Sequence, residues 1–139
     1  MKVAIVFDTR TGTTAAAAER MAEVVRAAGH DCTAESVARA DPKAVARADA
    51  QVIGAWTRGW FVIRQHPSEG ALRFIEQLPL KGRPVAVFAT YQLAIGSTVT
   101  QMARAVEASG GQVTGMYHVK GGRVPAGFED WVASLEARR

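Results

Sequence analysis

Val3-Ala4-Ile5-Val6-Phe7, then Asp8, then Thr9-Arg10-Thr11-Gly12-Thr13-Thr14 is the stretch that decides the fold. A short apolar run bounded by polar residues fits a strand buried on both faces better than a helix. From Thr14 the apolar period changes. Ala18, Met21, Ala22 and Val25 recur at three- and four-residue spacings, and Gly29 supplies a helix stop. A strand, a turn and a helix therefore follow one another, and the turn gathers hydroxyls and unpaired helix-terminal N–H groups into one small volume. That chemistry suits a phosphate.

The same alternation continues along the chain. Cys32 to Glu35 reads as a second short strand, followed by a polar connection containing Asp41-Pro42. Gln51 to Ala55 forms a third strand before an aromatic loop, Trp56 to Phe61, and a helix covers Ser68 to Gln77. Pro84 to Ala89 is the strongest later strand, with its proline at the first position, where no central ladder is broken. Ser97 or Thr98 caps a helix with Val99, Met102, Ala103 and Val106 on its buried face, ended by Gly110-Gly111. Val113 to Val119 is a fifth strand, and Phe128, Trp131, Val132 and Leu135 mark a terminal amphipathic helix. Five strands alternating with about four helices predict an α/β, doubly wound parallel sheet. Such sheets bind ligands outside the carboxyl ends of their strands, where the segments 9–14, 56–61 and 90–96 fall.

Bulk properties bound the function. At 139 residues the chain is expected to be one domain, residues 1–139. A hydrophobic fraction of 48% with 22% charged residues is that of an ordered globular protein. No apolar run is long enough to span a membrane and the amino end has no signal-peptide pattern, so a cytoplasmic protein without membrane attachment is expected. Cys32 is the only cysteine, which excludes an intrachain disulfide and leaves core packing as its expected role. The net charge of +4 does not by itself point to nucleic acid, because the cations are dispersed and no basic run is interleaved with aromatics. Arg58, Arg64 and Arg123 fall in expected loops, where they form a local positive surface open to an acidic protein partner.

Each loop carries distinct chemistry. In the first, Thr9, Thr11, Thr13 and Thr14 offer hydroxyls, Gly12 permits close backbone approach, and Arg10 adds a positive charge; the alternative is that the threonines only cap the helix. The loop lacks both the Gly-Lys-Ser/Thr ending of a triphosphate site and the Gly-x-Gly-x-x-Gly of a dinucleotide site, which favours a monophosphate cofactor. In the second, Trp56-Thr57-Arg58-Gly59-Trp60-Phe61 supplies apolar surface for a flat ring and polar groups for its edge. Trp60 or Trp56 covers the ring, Thr57 contacts phosphate or sugar, and Gly59 gives room to turn. In the third, Thr90 and Tyr91 lie at the strand end, with Tyr91 placed to meet the other ring face.

The pattern Thr9-Arg10-Thr11-Gly12-Thr13-Thr14 resembles the Thr/Ser-x-Thr/Ser-Gly-x-Thr phosphate-binding pattern of the flavodoxin family, and the resemblance spans essentially the whole chain. It implies a five-stranded sheet of order 2-1-3-4-5, FMN as cofactor, and electron transfer between redox protein partners. By position it makes Thr9, Thr11, Gly12, Thr13 and Thr14 the phosphate-loop residues, Thr57 a second-loop contact, and Trp60 and Tyr91 ring neighbours. Two departures stand out. Asp8 places a carboxylate beside the loop, which opposes phosphate unless it turns away. The chain is also basic where many members are acidic, so the reduced, anionic flavin is expected to be disfavoured less than in acidic relatives.

Two further readings compete. One is an FMN-dependent reductase of a quinone or another small oxidant, with the aromatic residues lining a substrate cavity. The other is a non-redox interaction module. A phosphoacceptor domain shares the expected topology, but the Trp56 region stands where its acceptor aspartate is needed. His30, His66 and His118 have no compact ligand spacing for a metal hydrolase.

Overall fold

The computed structural model describes residues 1–60, 63–91 and 96–137, with side chains for all of these except 58–60 and 63–66. The elements in chain order are β1 (Lys2–Phe7), α1 (Thr13–Ala27), β2 (Asp31–Ser36), α2 (Pro42–Arg47), β3 (Ala50–Trp60), β4 (Ile63–Pro67), α3 (Glu69–Glu76), β5 (Pro84–Tyr91), α4 (Thr98–Ala108), β6 (Gln112–Lys120) and α5 (Phe128–Glu136). Five strands pair in parallel in the order β2-β1-β3-β5-β6. This is the order 2-1-3-4-5 that the family resemblance implies, with β4 set aside.

β4 is the main departure from the sequence reading. Trp56 to Trp60 is not a loop: β3 runs on through Trp60 and pairs antiparallel with β4, aligning Thr57 with Pro67 and Trp60 with Ile63. The physical reason is composition, since Trp and Thr suit a pleated surface and no breaker other than Gly59 interrupts them. Arg64 and His66 thus belong to a strand. A fifth helix, α2, also occupies the connection read as polar. Asp41 is its N-cap, accepting from the Lys43 N–H at 3.2 Å, and Pro42 fills the first helical position, where its missing N–H costs nothing. The buried Gln51 amide closes the other end, donating to the carbonyls of Val45 at 2.9 Å and Ala48 at 3.1 Å.

Alternation along the central strands divides the interior into two cores. Val85, Val87 and Ala89 of β5 face α3 and α4, with Phe74, Ile75, Met102 and Val106. Ala86 and Phe88 face α1 and α5, with Met21, Val25, Phe128 and Trp131. Trp131 stacks on Phe128 at 5.6 Å, and its indole N–H donates to the Thr114 hydroxyl at 2.8 Å.

Cys32 lies half-buried on β2, packed against the α1-side core, as a packing role requires. Burial pushes its thiol up from an ordinary 9.0 to about 11, with Arg26 opposing and Glu19 assisting. The folded chain therefore holds this proton where the unfolded chain loses it. Any stability linked to Cys32 is intact below pH 9 and is lost as pH rises toward 11. Alkylation of the native protein at pH 8 is expected to run about a hundredfold slower than that of an unfolded control, through its smaller thiolate fraction. Mass spectrometry of iodoacetamide-treated samples from pH 8 to 11 checks this, and equal native and unfolded rates would count against it.

Candidate functional site

β1 delivers Asp8 to the carboxyl edge of the sheet, where its N–H donates to the Gly54 carbonyl at 3.0 Å. Beyond it the chain turns at Gly12, whose φ of +90° is the left-handed region that glycine enters without steric cost. Gly12 is the N-cap of α1 and has no side chain to satisfy the helix's first donors. Thr9 does part of that work: its hydroxyl oxygen accepts from the N–H groups of Gly12 at 3.1 Å and Ala15 at 3.4 Å. The N–H groups of Thr13 and Thr14 have no partner among the described residues. They open beside the hydroxyls of Thr11 and Thr13, 3.4 Å apart, and a Cβ added at Gly12 would meet nothing within 4 Å. Two free donors at the positive end of a 15-residue helix, with hydroxyls alongside and open space in front, make an anion cradle.

Described residues of the three segments singled out in the sequence meet here. The buried Thr14 hydroxyl meets that of Thr90 at 2.7 Å, tying the first turn of α1 to the end of β5. Trp56 pairs in register with Thr90, and the Arg10 guanidinium lies 5.5 Å from the centroid of the Trp56 ring. Tyr91 is half-buried at the next position, its ring tilted against His118 at 5.8 Å. The Thr57 hydroxyl oxygen is buried with no hydrogen-bond partner among the described residues, an orphan of the kind that a ligand donor or acceptor satisfies. Gly59 and Trp60 lie on the last residues of β3, beyond the parallel ladder; their side-chain surroundings, and Phe61 and residues 92–95, fall outside the described residues.

Asp8 turns its carboxylate toward α3. Its carboxylate lies against Gly70, where an added Cβ would sit 2.7 Å from Oδ2, so the charge rests at the amino-terminal turn of α3 instead of among the threonines. Two features escaped the sequence reading. Ser68, the N-cap of α3, has a buried hydroxyl without a partner among the described residues. A fourth segment, Gly121-Gly122-Arg123, lies against the start of α1: Arg20 Nη1 donates to the Gly122 carbonyl at 2.9 Å, and a Cβ at Gly122 would stand 2.9 Å from that of Ala16. The Gly-Gly pair just after a strand was the available signal.

The family model for the flavodoxin domain matches residues 4–126. The chain belongs to the flavodoxin family. Among solved structures, two-electron reduced flavodoxin of Megasphaera elsdenii is 24% identical with a TM-score of 0.78, covering 99% of each chain. A Streptococcus pneumonia TIGR4 flavodoxin is 17% identical with a TM-score of 0.79 over 100% of both chains. A Fusobacterium nucleatum flavodoxin bound to flavin mononucleotide is 14% identical with a TM-score of 0.70, covering 99% of this chain and 98% of its own. These likenesses are of fold, and the flavodoxin sheet order is the one seen here. Among curated protein sequences none matches the chain. Among the described residues no helix is long and apolar enough to cross a membrane.

Proposed function

We propose that this flavodoxin binds FMN and carries electrons between redox protein partners. The observation that carries the reading is the pair of unpartnered N–H groups on Thr13 and Thr14, opening beside hydroxyls and joined through Thr90 and Arg10 to the aromatic segments. The phosphate of FMN is held by these N–H groups, by the hydroxyls of Thr9, Thr11 and Thr13, and by the orphaned Thr57 hydroxyl, with Arg10 as the nearby cation. Gly12 lets the backbone come close. Thr14 and Thr90 keep one O–H between them that their mutual bond does not use, and it is available to an acceptor. Trp56, Trp60 and Tyr91 shelter the ring, with Gly59 at the register shift of β3 beside it.

When bound, the isoalloxazine supplies reversible electron storage, and the protein contributes binding, orientation and electrostatics. No side chain needs to act as a nucleophile. The segments around the ring carry no acidic residue, so the fully reduced state is reached at a less negative potential than in acidic relatives.

The test is a titration of the FMN-free chain with FMN and with riboflavin, followed by flavin fluorescence. Two charge-assisted hydrogen bonds to phosphate predict that FMN binds tighter by at least about a hundredfold. Equal affinities would sink the phosphate assignment. Turnover of a reduced pyridine nucleotide with a quinone, with no second redox protein present, would replace the carrier reading by a reductase.

A further inference from the structure

β6 brings to the carboxyl edge of the sheet one ionisable side chain that the proposed cofactor contacts do not use. In the parallel pairing of β5 with β6, Ala89 stands opposite His118 and Tyr91 opposite Lys120. Ala89 faces the core beneath α3 and α4. Alternation therefore puts Tyr91 on that face, and the register puts His118 and Lys120 there too. The rings of Tyr91 and His118 meet at 5.8 Å, tilted by 58°. Tyr91 is half-buried and His118 is exposed, so the imidazole exchanges protons with water while resting on a ring that the fold holds.

The groups around His118 are few. On its own strand Lys120 shares its face and Tyr117 lies on the other, and Arg123 Nη2 donates to the Lys120 carbonyl at 3.3 Å. β5 supplies Tyr91, and α4 supplies Arg104 and Glu107, both exposed. α5, with Glu129, Asp130 and Glu136, covers the opposite face, where Phe128 meets Tyr117. By sequence, residues 92–97 after Tyr91 hold no ionisable side chain. Of these side-chain types, imidazole is the one that gains or loses its charge between about pH 5 and 8. His30 has no part in this, being buried at the amino edge between the Met1 amine at 3.1 Å and Glu136 at 3.3 Å.

We propose that His118 acts through Tyr91 as a proton-operated control on the bound flavin, favouring uptake of the second electron when the imidazole is charged and not when it is neutral. The inference rests on the FMN reading of the site, with Tyr91 as a neighbour of the ring, and deepens it by naming the residue that couples reduction to pH. The fully reduced, anionic flavin carries a negative charge that the oxidised ring lacks, so a cation behind Tyr91 stabilises the reduced form selectively. The electron comes from an external reductant and enters the flavin; the proton comes from water and enters the imidazole. By reciprocity, the reduced flavin raises the affinity of the imidazole for its proton by the same factor. A unit charge one aromatic ring away, partly exposed to water, is expected to change either equilibrium about threefold.

The experiment compares the FMN-loaded parent with His118→Gln, which never carries the charge, and His118→Lys, which always does. Each is titrated with dithionite from about pH 5.5 to about pH 8.5, across the imidazole range. Relative to His118→Gln, the second-electron equilibrium of the parent is expected to be about threefold more favourable at the acid end and equal at the alkaline end. His118→Lys should keep the acid-end advantage at every pH. Protonation of the flavin itself is common to all three chains and cancels in these differences. Proton NMR of the imidazole, assigned by its absence from His118→Gln, supplies the reciprocal measurement: the His118 titration should move to higher pH on full reduction by the same factor of about three.

Parent and His118→Gln curves that coincide at every pH, or a His118 titration indifferent to the redox state, overturn the proposal while leaving FMN binding intact. A difference between parent and His118→Gln that is constant with pH overturns it as well, since that is the mark of a structural role. A chain that takes up no FMN overturns the parent reading instead.

Discussion

Thr13→Asp is expected to make the FMN-free protein more stable and to weaken its cofactor binding by about a thousandfold. Thr13 is the first residue of α1, and the first turn of that helix holds no acidic side chain. A carboxylate there faces the helix's positive end and should add about 0.3–1 kcal/mol. For a chain of this size that corresponds to a rise in Tm of about 1–4 °C. The same carboxylate stands where the phosphate must sit, and like charges so placed cost several kcal/mol, a loss of affinity on the order of a thousandfold. Thermal melts of the FMN-free variant and a fluorescence titration check the two signs separately. Opposite signs identify an anion cradle, since a disrupted fold would lower both. Undiminished FMN affinity in this variant would place the phosphate elsewhere.

Gly54→Ala is the second, and its effect is on folding. In most strands alanine in place of glycine would help slightly, because glycine loses more backbone freedom on folding. Gly54, however, lies in the central strand between Phe7 and Phe88 in register, and a Cβ there would stand 2.2 Å from Phe88 Cζ. Phe88 is fully buried, and ladders on both sides keep β3 from yielding. The steric term wins, at about 3 kcal/mol, the upper end of ordinary overpacking. Tm should fall by about 6–12 °C. Adding Phe88→Leu to Gly54→Ala removes the ring tip and should recover at least about 1 kcal/mol relative to additivity. Additive losses in the two variants would show that the contact is not what opposes alanine.

The parts of the fold legible in the sequence are those whose burial leaves an unbroken mark. Val3 to Phe7 and Val85 to Ala89 are covered on both faces, so their apolar runs are continuous and read directly as central strands. Gly29 and Gly110 mark helix ends because their positive φ is needed there. β4 left no such mark. Ile63-Arg64-Gln65-His66-Pro67 is mostly polar, and what makes it a strand is its pairing with Thr57 to Trp60, a tertiary fact. α2 is short, and its last carbonyls are closed by Gln51 from another element.

The candidate site divides in the same way. Its hydroxyl-rich turn was legible because Thr9 to Thr14 is contiguous and sits at a change of period. Other features depend on where the sheet order sets separate elements side by side. These are the bond between Thr14 and Thr90, the guanidinium of Arg10 over Trp56, the turning of Asp8 toward Gly70, and the seating of Gly122 on α1. Composition along one segment carries no trace of them.

The hydroxyl pair of Thr14 and Thr90 has one more property. Either oxygen can be the donor, so the two hydrogens can exchange roles by rotation about single bonds while every heavier atom stays still. Such a pair is a small reversible dipole inside a rigid joint.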